Sequence, residues 1–198
     1  MLRTALGLGL ATLAAGAGAP AVDAPAGEAS RAAGDPFAGM PDLEMEYYEV
    51  SGRTAAEIRA SLNELRPTDP IRGIRVDGYT RWHLSWQIPR RPDGECRLDQ
   101  AEIMFRVAVG LPRLVDTDRI PLAVRQQWQS YIAALKAHEA THARYAYEGR
   151  KAVLRAFQGV DCAAAQEAAG DASEALKRRN EEYDRLTQHG LTEGVRFP

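Results

Sequence analysis

From Glu44 onward the hydrophobic and polar positions repeat with two different periods, and each change of period marks a new element. Tyr47, Tyr48 and Val50 suggest a strand. Thr54-Ala55-Ala56-Glu57 then fits a capping box, in which the Thr hydroxyl and the Glu carboxylate satisfy free backbone N–H groups reciprocally. Ile58, Leu62 and Leu65 follow at helical spacing, and Pro67 ends that helix. The pattern next switches to period two. Trp82, Leu84, Trp86 and Ile88 share one face of the segment from Thr80 to Ile88, and Ile103, Phe105, Val107 and Val109 share one face of the segment from Arg97 to Val109. Arg90-Arg91-Pro92-Asp93-Gly94 between them is a turn signal, so the two strands are expected to pair antiparallel.

The period then returns to that of a helix. Trp128, Tyr131, Leu135, His138, His142, Tyr145, Gly149 and Val153 step by three and four along one face. Gly159 and Asp161 read as a stop followed by a fresh N-cap. A second helix is predicted from about Cys162 to Leu186, with Ala165, Ala172, Leu176, Tyr183 and Leu186 as its stripe. The order predicts an α+β domain: a small antiparallel sheet with an N-terminal helix, packed on a C-terminal helical hairpin. That domain is expected over residues 44–198, and no internal repeat interrupts it.

Composition changes the picture mainly at the N-terminus. Met1-Leu2-Arg3 is a short positive start, Thr4 to Val22 carries no charge, and small residues dominate the end of the run. This layout predicts a secretory signal peptide over residues 1–22. So Gly- and Ala-rich a run is a poor membrane anchor, and no stable membrane insertion is expected once it is cleaved. Residues 23–43, rich in Ala, Gly, Pro and Asp, read as a flexible linker. The expected location is therefore periplasmic or secreted. In such a compartment the two cysteines, Cys96 and Cys162, are expected to form a disulfide. The net charge of −2 and scattered arginines offer no footprint for nucleic acid.

The candidate chemistry lies inside the strongest helical pattern. His138-Glu139-Ala140-Thr141-His142 is H-E-x-x-H. Residues four apart in a helix lie one turn apart on one face, so both imidazoles can reach a single metal ion. Zinc in catalytic sites usually takes three protein ligands plus water, and Glu139 is placed to act as general base on that water. Both histidines fall on the core-facing stripe, where two imidazoles and a Glu would be a costly arrangement without a cation. Tyr145 and Glu148 stand where a metzincin would carry Gly and His, which excludes that class. For the third ligand the residues leave His189, Glu181 and Glu182 open. In a hairpin turning near residue 160, positions 178–182 lie level with the two histidines, while His189 requires a bend that Gly190 permits.

Further motifs carry a family resemblance. Tyr48-Glu49-Val50-Ser51-Gly52-Arg53-Thr54 stands near the start, and Thr80-Arg81-Trp82 with Trp86 in the strands. Cys96 precedes the last strand and Leu111-Pro112 follows it. Trp128 to His142 carries the zinc signature, and Tyr183-Asp184 with Thr187-Gln188-His189-Gly190 closes the set. With these features the chain resembles, from about Tyr47 to Val195, a bacterial family described as predicted secreted zinc-dependent proteases, formally a domain of unknown function. The closing motif implies a site role for His189, taken here as the third metal ligand. Asp184 is then expected to fix a ligand histidine from behind, and Tyr183 to donate to a developing oxyanion. One departure is Glu193 in Thr192-Glu193-Gly194, where the resemblance implies Gln; it is expected to affect local loop contacts only.

These readings predict a zinc metallopeptidase acting on a peptide or protein outside the cytoplasm. A substrate peptide is expected to lie along the edge of the strand from Arg97 to Val109. Two other readings use the same residues: an amidase acting on cell-wall peptide, and a non-catalytic envelope domain with a structural metal. His83, opposite the Trp82–Trp86 face, is read as structural or exposed. Trp82, Trp86 and Trp128 are read as core.

Overall fold

Thr54 caps helix α1 (Ala55–Leu65) as the motif predicts. Its hydroxyl accepts from the Glu57 N–H, and the Glu57 carboxylate accepts from the N–H groups of Arg53 and Thr54. Ile58 and Leu62 are fully buried, whereas Leu65 in the last turn is half exposed. Arg66 is already extended, the conformation a residue before proline prefers. These features come from a computed structural model of the chain, which describes residues 34–69 and 73–198. The signal peptide expected over residues 1–22, and the expected linker as far as residue 33, lie outside the described residues.

The two segments of period two form a hairpin, β2 (Tyr79–Gln87) and β3 (Glu102–Leu114), paired antiparallel. Trp82 lies opposite Val107, Leu84 opposite Phe105 and Trp86 opposite Ile103, so the two predicted apolar faces meet residue for residue. The sheet as a whole is mixed, not antiparallel. Strand β1 (Leu43–Val50) runs parallel to β3, with Leu43 opposite Val107 and Val50 opposite Leu114, and the order is β1-β3-β2. No turn signal announces a parallel pair, because its strands are joined by a long crossover rather than a tight loop.

This order overturns the expected docking edge. Strand β3 is central, with β1 on one side and β2 on the other, and Leu98–Gln100 is a 3-10 turn outside the sheet. No backbone edge of β3 remains for a peptide where the two neighbours overlap. The centre also explains why the alternation of β3 gives way to a nearly continuous buried run from Val107 to Leu111.

The hairpin of α2 (Leu122–Ala156) and α3 (Cys162–Thr187) packs against the sheet. Asp161 caps α3, accepting from the N–H groups of Ala163 and Ala164. The helices approach closely at Gly149, where a Cβ would stand 2.5 Å from Leu176 Cδ2. One core joins β1, β3, α1 and α2 as far as Ala146, and a smaller one surrounds Val153, Phe157, Ala165 and Ala169. Trp128 is buried in the larger core, and Trp86 packs against the smaller one with its indole N–H on Gln166. His83 is exposed. Phe37, inside the segment expected to be linker, is buried in the main core, and the Tyr147 hydroxyl donates to the Pro41 carbonyl. The folded part therefore begins several residues before Glu44, because Phe37 and Met40 give that otherwise polar stretch apolar anchors.

Cys96 and Cys162 are joined by a disulfide across 66 residues, which ties the β2–β3 connection to the start of α3. Replacing both cysteines by Ser is expected to cost ~2–4 kcal/mol, by restoring conformational freedom to the unfolded chain. The urea midpoint of the double variant should fall accordingly. A midpoint equal to that of the oxidised parent would show that the bridge constrains nothing. Among the described residues no helix is long and apolar enough to cross a membrane.

Candidate metal centre

The α2 face that looks toward the sheet and α3 carries Leu135, His138, Glu139 and His142, all buried. His138 and His142 stand one turn apart with ring centroids 4.8 Å from each other. Their Nε2 atoms are separated by 3.3 Å. From α3, Asp184 brings Oδ1 to 3.1 Å from His142 Nε2 and 3.3 Å from His138 Nε2. His138, His142 and Asp184 thus form a group that could hold a metal ion.

Each imidazole is held from behind through Nδ1. His142 Nδ1 lies 2.7 Å from Asn180 Oδ1, and Asn180 Nδ2 donates to the Leu176 carbonyl, which orients the amide with its oxygen toward the histidine. His138 Nδ1 lies 2.8 Å from a carboxylate oxygen of Glu193. An amide oxygen and a carboxylate can only accept, so both Nδ1 atoms carry protons and both Nε2 lone pairs turn toward Asp184. A single cation could satisfy all three atoms, a donor set of two imidazole nitrogens and one carboxylate oxygen. Burial works against the cationic form of His138, but its contacts with Asp184 and Glu193 outweigh this and raise its pKa.

Glu139 sits beside the triad, nearly all of it buried. Burial pushes its carboxyl above the usual range, an effect opposed in part by His142, His138 and Thr80. The Thr80 hydroxyl lies 2.8 Å from Glu139 Oε2 and 3.0 Å from its carbonyl oxygen, so β2 fixes the carboxylate from the sheet side. Gly78 comes close as well: a Cβ there would stand 3.0 Å from Glu139 Oε1 and 2.9 Å from Leu135 Cδ1. The segment before β2 is anchored through Asp77, whose carboxylate takes Arg59, Arg66 and the Tyr131 hydroxyl and whose carbonyl takes the Tyr48 hydroxyl. These groups open on a cleft of about 420 Å³, bordered by Gly78, Thr80 and Trp82 on one side and by Lys177, Glu181 and Leu191 on the other.

The remaining site candidates fall into place around this centre. Asp184, expected behind a histidine, stands with the two Nε2 atoms. His189, expected as the third ligand, lies outside that group, 60% exposed at the side chain, with Nδ1 3.6 Å from Asp184 Oδ2. Glu181 is exposed at the cleft rim, and Glu182 is exposed and paired with Arg185. The Tyr183 ring stacks on His138 at 5.0 Å, and its hydroxyl donates to Glu193 at 2.8 Å. Glu193 therefore does more than make loop contacts: it meets His138 directly. Asn180 and Gly78 carried no motif of their own, and Thr80 stood in the Thr80-Arg81-Trp82 motif with no site role assigned to it. Only the hairpin register, which places positions 178–182 level with the histidines, pointed toward Asn180.

The end of α3 produces this geometry. Gln188, His189 and Gly190 all adopt positive φ, and the His189 N–H closes on the Asp184 carbonyl at 2.8 Å. A Cβ on Gly190 would stand 3.2 Å from His138 Cγ and 2.5 Å from Val195 Cγ2, so both its φ and its space call for glycine.

Neither a curated protein nor a solved structure matches the chain. A family model described as bacterial protein of unknown function (DUF922) matches residues 45–190, a span from β1 through Gly190 that takes in the imidazoles, Glu139 and Asp184, and the chain belongs to that family.

Proposed function

We propose that this protein is an exported zinc metallopeptidase. The observation that carries the reading is the convergence of His138 Nε2, His142 Nε2 and Asp184 Oδ1 beside a buried carboxylate in an open cleft. With three ligands from the protein, the donor set follows the pattern of catalytic zinc, in which a further position takes water or substrate. A bound zinc ion would supply Lewis acidity, polarising a carbonyl and bringing the pKa of water down to about 7.

The residues of the chain account for the proton. Glu139, kept basic by burial and held by Thr80, takes a proton from the attacking water and delivers it to the leaving amine. Water is cleaved across the amide, so atoms and charge balance with no other reactant. The substrate is an extended peptide at the outer edge of the segment from Asp77 to Trp82, which lines the cleft, in place of the central strand β3. The disulfide supports an oxidising compartment, where such bridges persist.

The mature chain purified from an oxidising compartment should carry about one zinc per chain by elemental mass spectrometry. It should also cleave an unfolded protein. Metal without proteolysis, but with release of fragments from cell-wall peptide, would move the activity to amidase. A chain that takes up no metal when zinc is supplied would overturn the reading.

A further inference from the structure

The C-terminal turn is built into the metal centre. After α3 the three residues of positive φ reverse the chain, and a 3-10 turn over Leu191–Glu193 follows. Glu193 then reaches back with one carboxylate. Its Oε2 lies 2.8 Å from His138 Nδ1 and 3.0 Å from the Tyr183 hydroxyl, and its Oε1 accepts from that hydroxyl at 2.8 Å. The Tyr183 ring in turn lies flat on His138, with an interplanar angle of 21°. One carboxylate thus sets the rotation of His138, while one aromatic ring sets its tilt. Beyond the turn, Phe197 is buried against Trp128 and Tyr131, and its carbonyl accepts from Arg59 at 2.8 Å. The last residues are therefore held at both ends, on the histidine and in the core.

We infer that Glu193 is a positioning residue for the metal site, with Tyr183 as its anchor, so that the C-terminal turn contributes to metal affinity. This rests on the site being a metal site. The chemistry is that of an acceptor on the far nitrogen of a ligand imidazole: it keeps the proton on Nδ1, aims Nε2 at the ion and increases the basicity of the ligand. Glu in place of the Gln expected from the family resemblance retains an acceptor and adds a negative charge. Tyr183 is assigned to hold Glu193 and His138, its single hydroxyl proton being committed to that carboxylate.

The test is metal affinity, measured by competition with a chelator for zinc and by the visible spectrum of the cobalt(II)-loaded protein. Glu193→Ala should weaken zinc binding ~10–100-fold, as loss of such a partner does elsewhere. It should also shift the cobalt bands, which a change in stability alone would not do. Glu193→Gln, which keeps an acceptor on His138, should recover most of the affinity, and Tyr183→Phe should fall between Glu193→Ala and the parent. Parent-like affinity and cobalt bands in Glu193→Ala would overturn the inference. Failure of the parent itself to bind metal would instead overturn the metal site, so the two failures are distinguishable.

Discussion

Glu139→Gln is expected to lower hydrolysis by ~10²–10⁴-fold, the range typical for removal of a positioned general base, while zinc content stays that of the parent. The substitution is nearly isosteric, and an amide can still take the Thr80 hydroxyl, so the buried packing against Gly78 and Leu135 survives. What it loses is the capacity to take up a proton. Burial is what makes that loss matter, because it holds the carboxyl above its usual range and so makes the carboxylate a stronger proton acceptor. Two measurements together check this: steady-state cleavage of an unfolded protein, and elemental analysis of the same sample. Activity within a few-fold of the parent would exclude Glu139 as the base. Loss of zinc along with activity would give the carboxylate a place in binding instead.

Asp184→Ala should be nearly as damaging, but through the metal. It removes the oxygen 3.1 Å from His142 Nε2 and 3.3 Å from His138 Nε2 and leaves two imidazoles to hold the ion. The loss of zinc affinity should exceed the ~10–100-fold that removal of an outer hydrogen-bond partner costs. His189→Ala is the informative comparison. The family resemblance implies the imidazole as ligand, whereas the structure puts the carboxylate with the two Nε2 atoms and His189 beside it, its side chain 60% exposed. On the structural arrangement, His189→Ala should change zinc affinity less than tenfold, well short of the ~10–100-fold of an outer partner. If the two variants exchange their effects, His189 is the ligand and Asp184 its support. Chelator competition on both proteins, with the folded state confirmed by circular dichroism, decides between them.

Part of this protein was legible from local pattern. The capping box at Thr54 and Glu57, the face shared by Trp82, Leu84 and Trp86, and the Asp161 cap all involve residues a few positions apart. Their geometry is set by helix and strand periods. The pair His138 and His142 with Glu139 belongs to the same class, because a spacing of four on a helix is itself a statement about distance. Where the pattern misled, the reason is visible in the site. Leu186 completes an apolar stripe on paper yet is 61% exposed, while Asn180, Asp184 and Thr187 turn inward. The inward face at the end of α3 is polar because it faces two imidazoles, so hydrophobicity reads that turn of helix the wrong way round.

The sequence by itself determined the element order, the hairpin of β2 and β3, and the helix that presents both histidines with their glutamate, since each depends on local spacing. Only the tertiary structure decided that β1 runs parallel beside β3, that Asp184 joins the two Nε2 atoms, and that Glu193 and Asn180 hold the rings from behind. Those relations join segments 38 to 64 residues apart, as from His142 to Asn180 and from Leu43 to Val107. Chain periodicity carries no information across such a gap. The side chains that meet there are selected by helix packing, by the turn of positive φ after α3 and by the burial of Phe197, acting together.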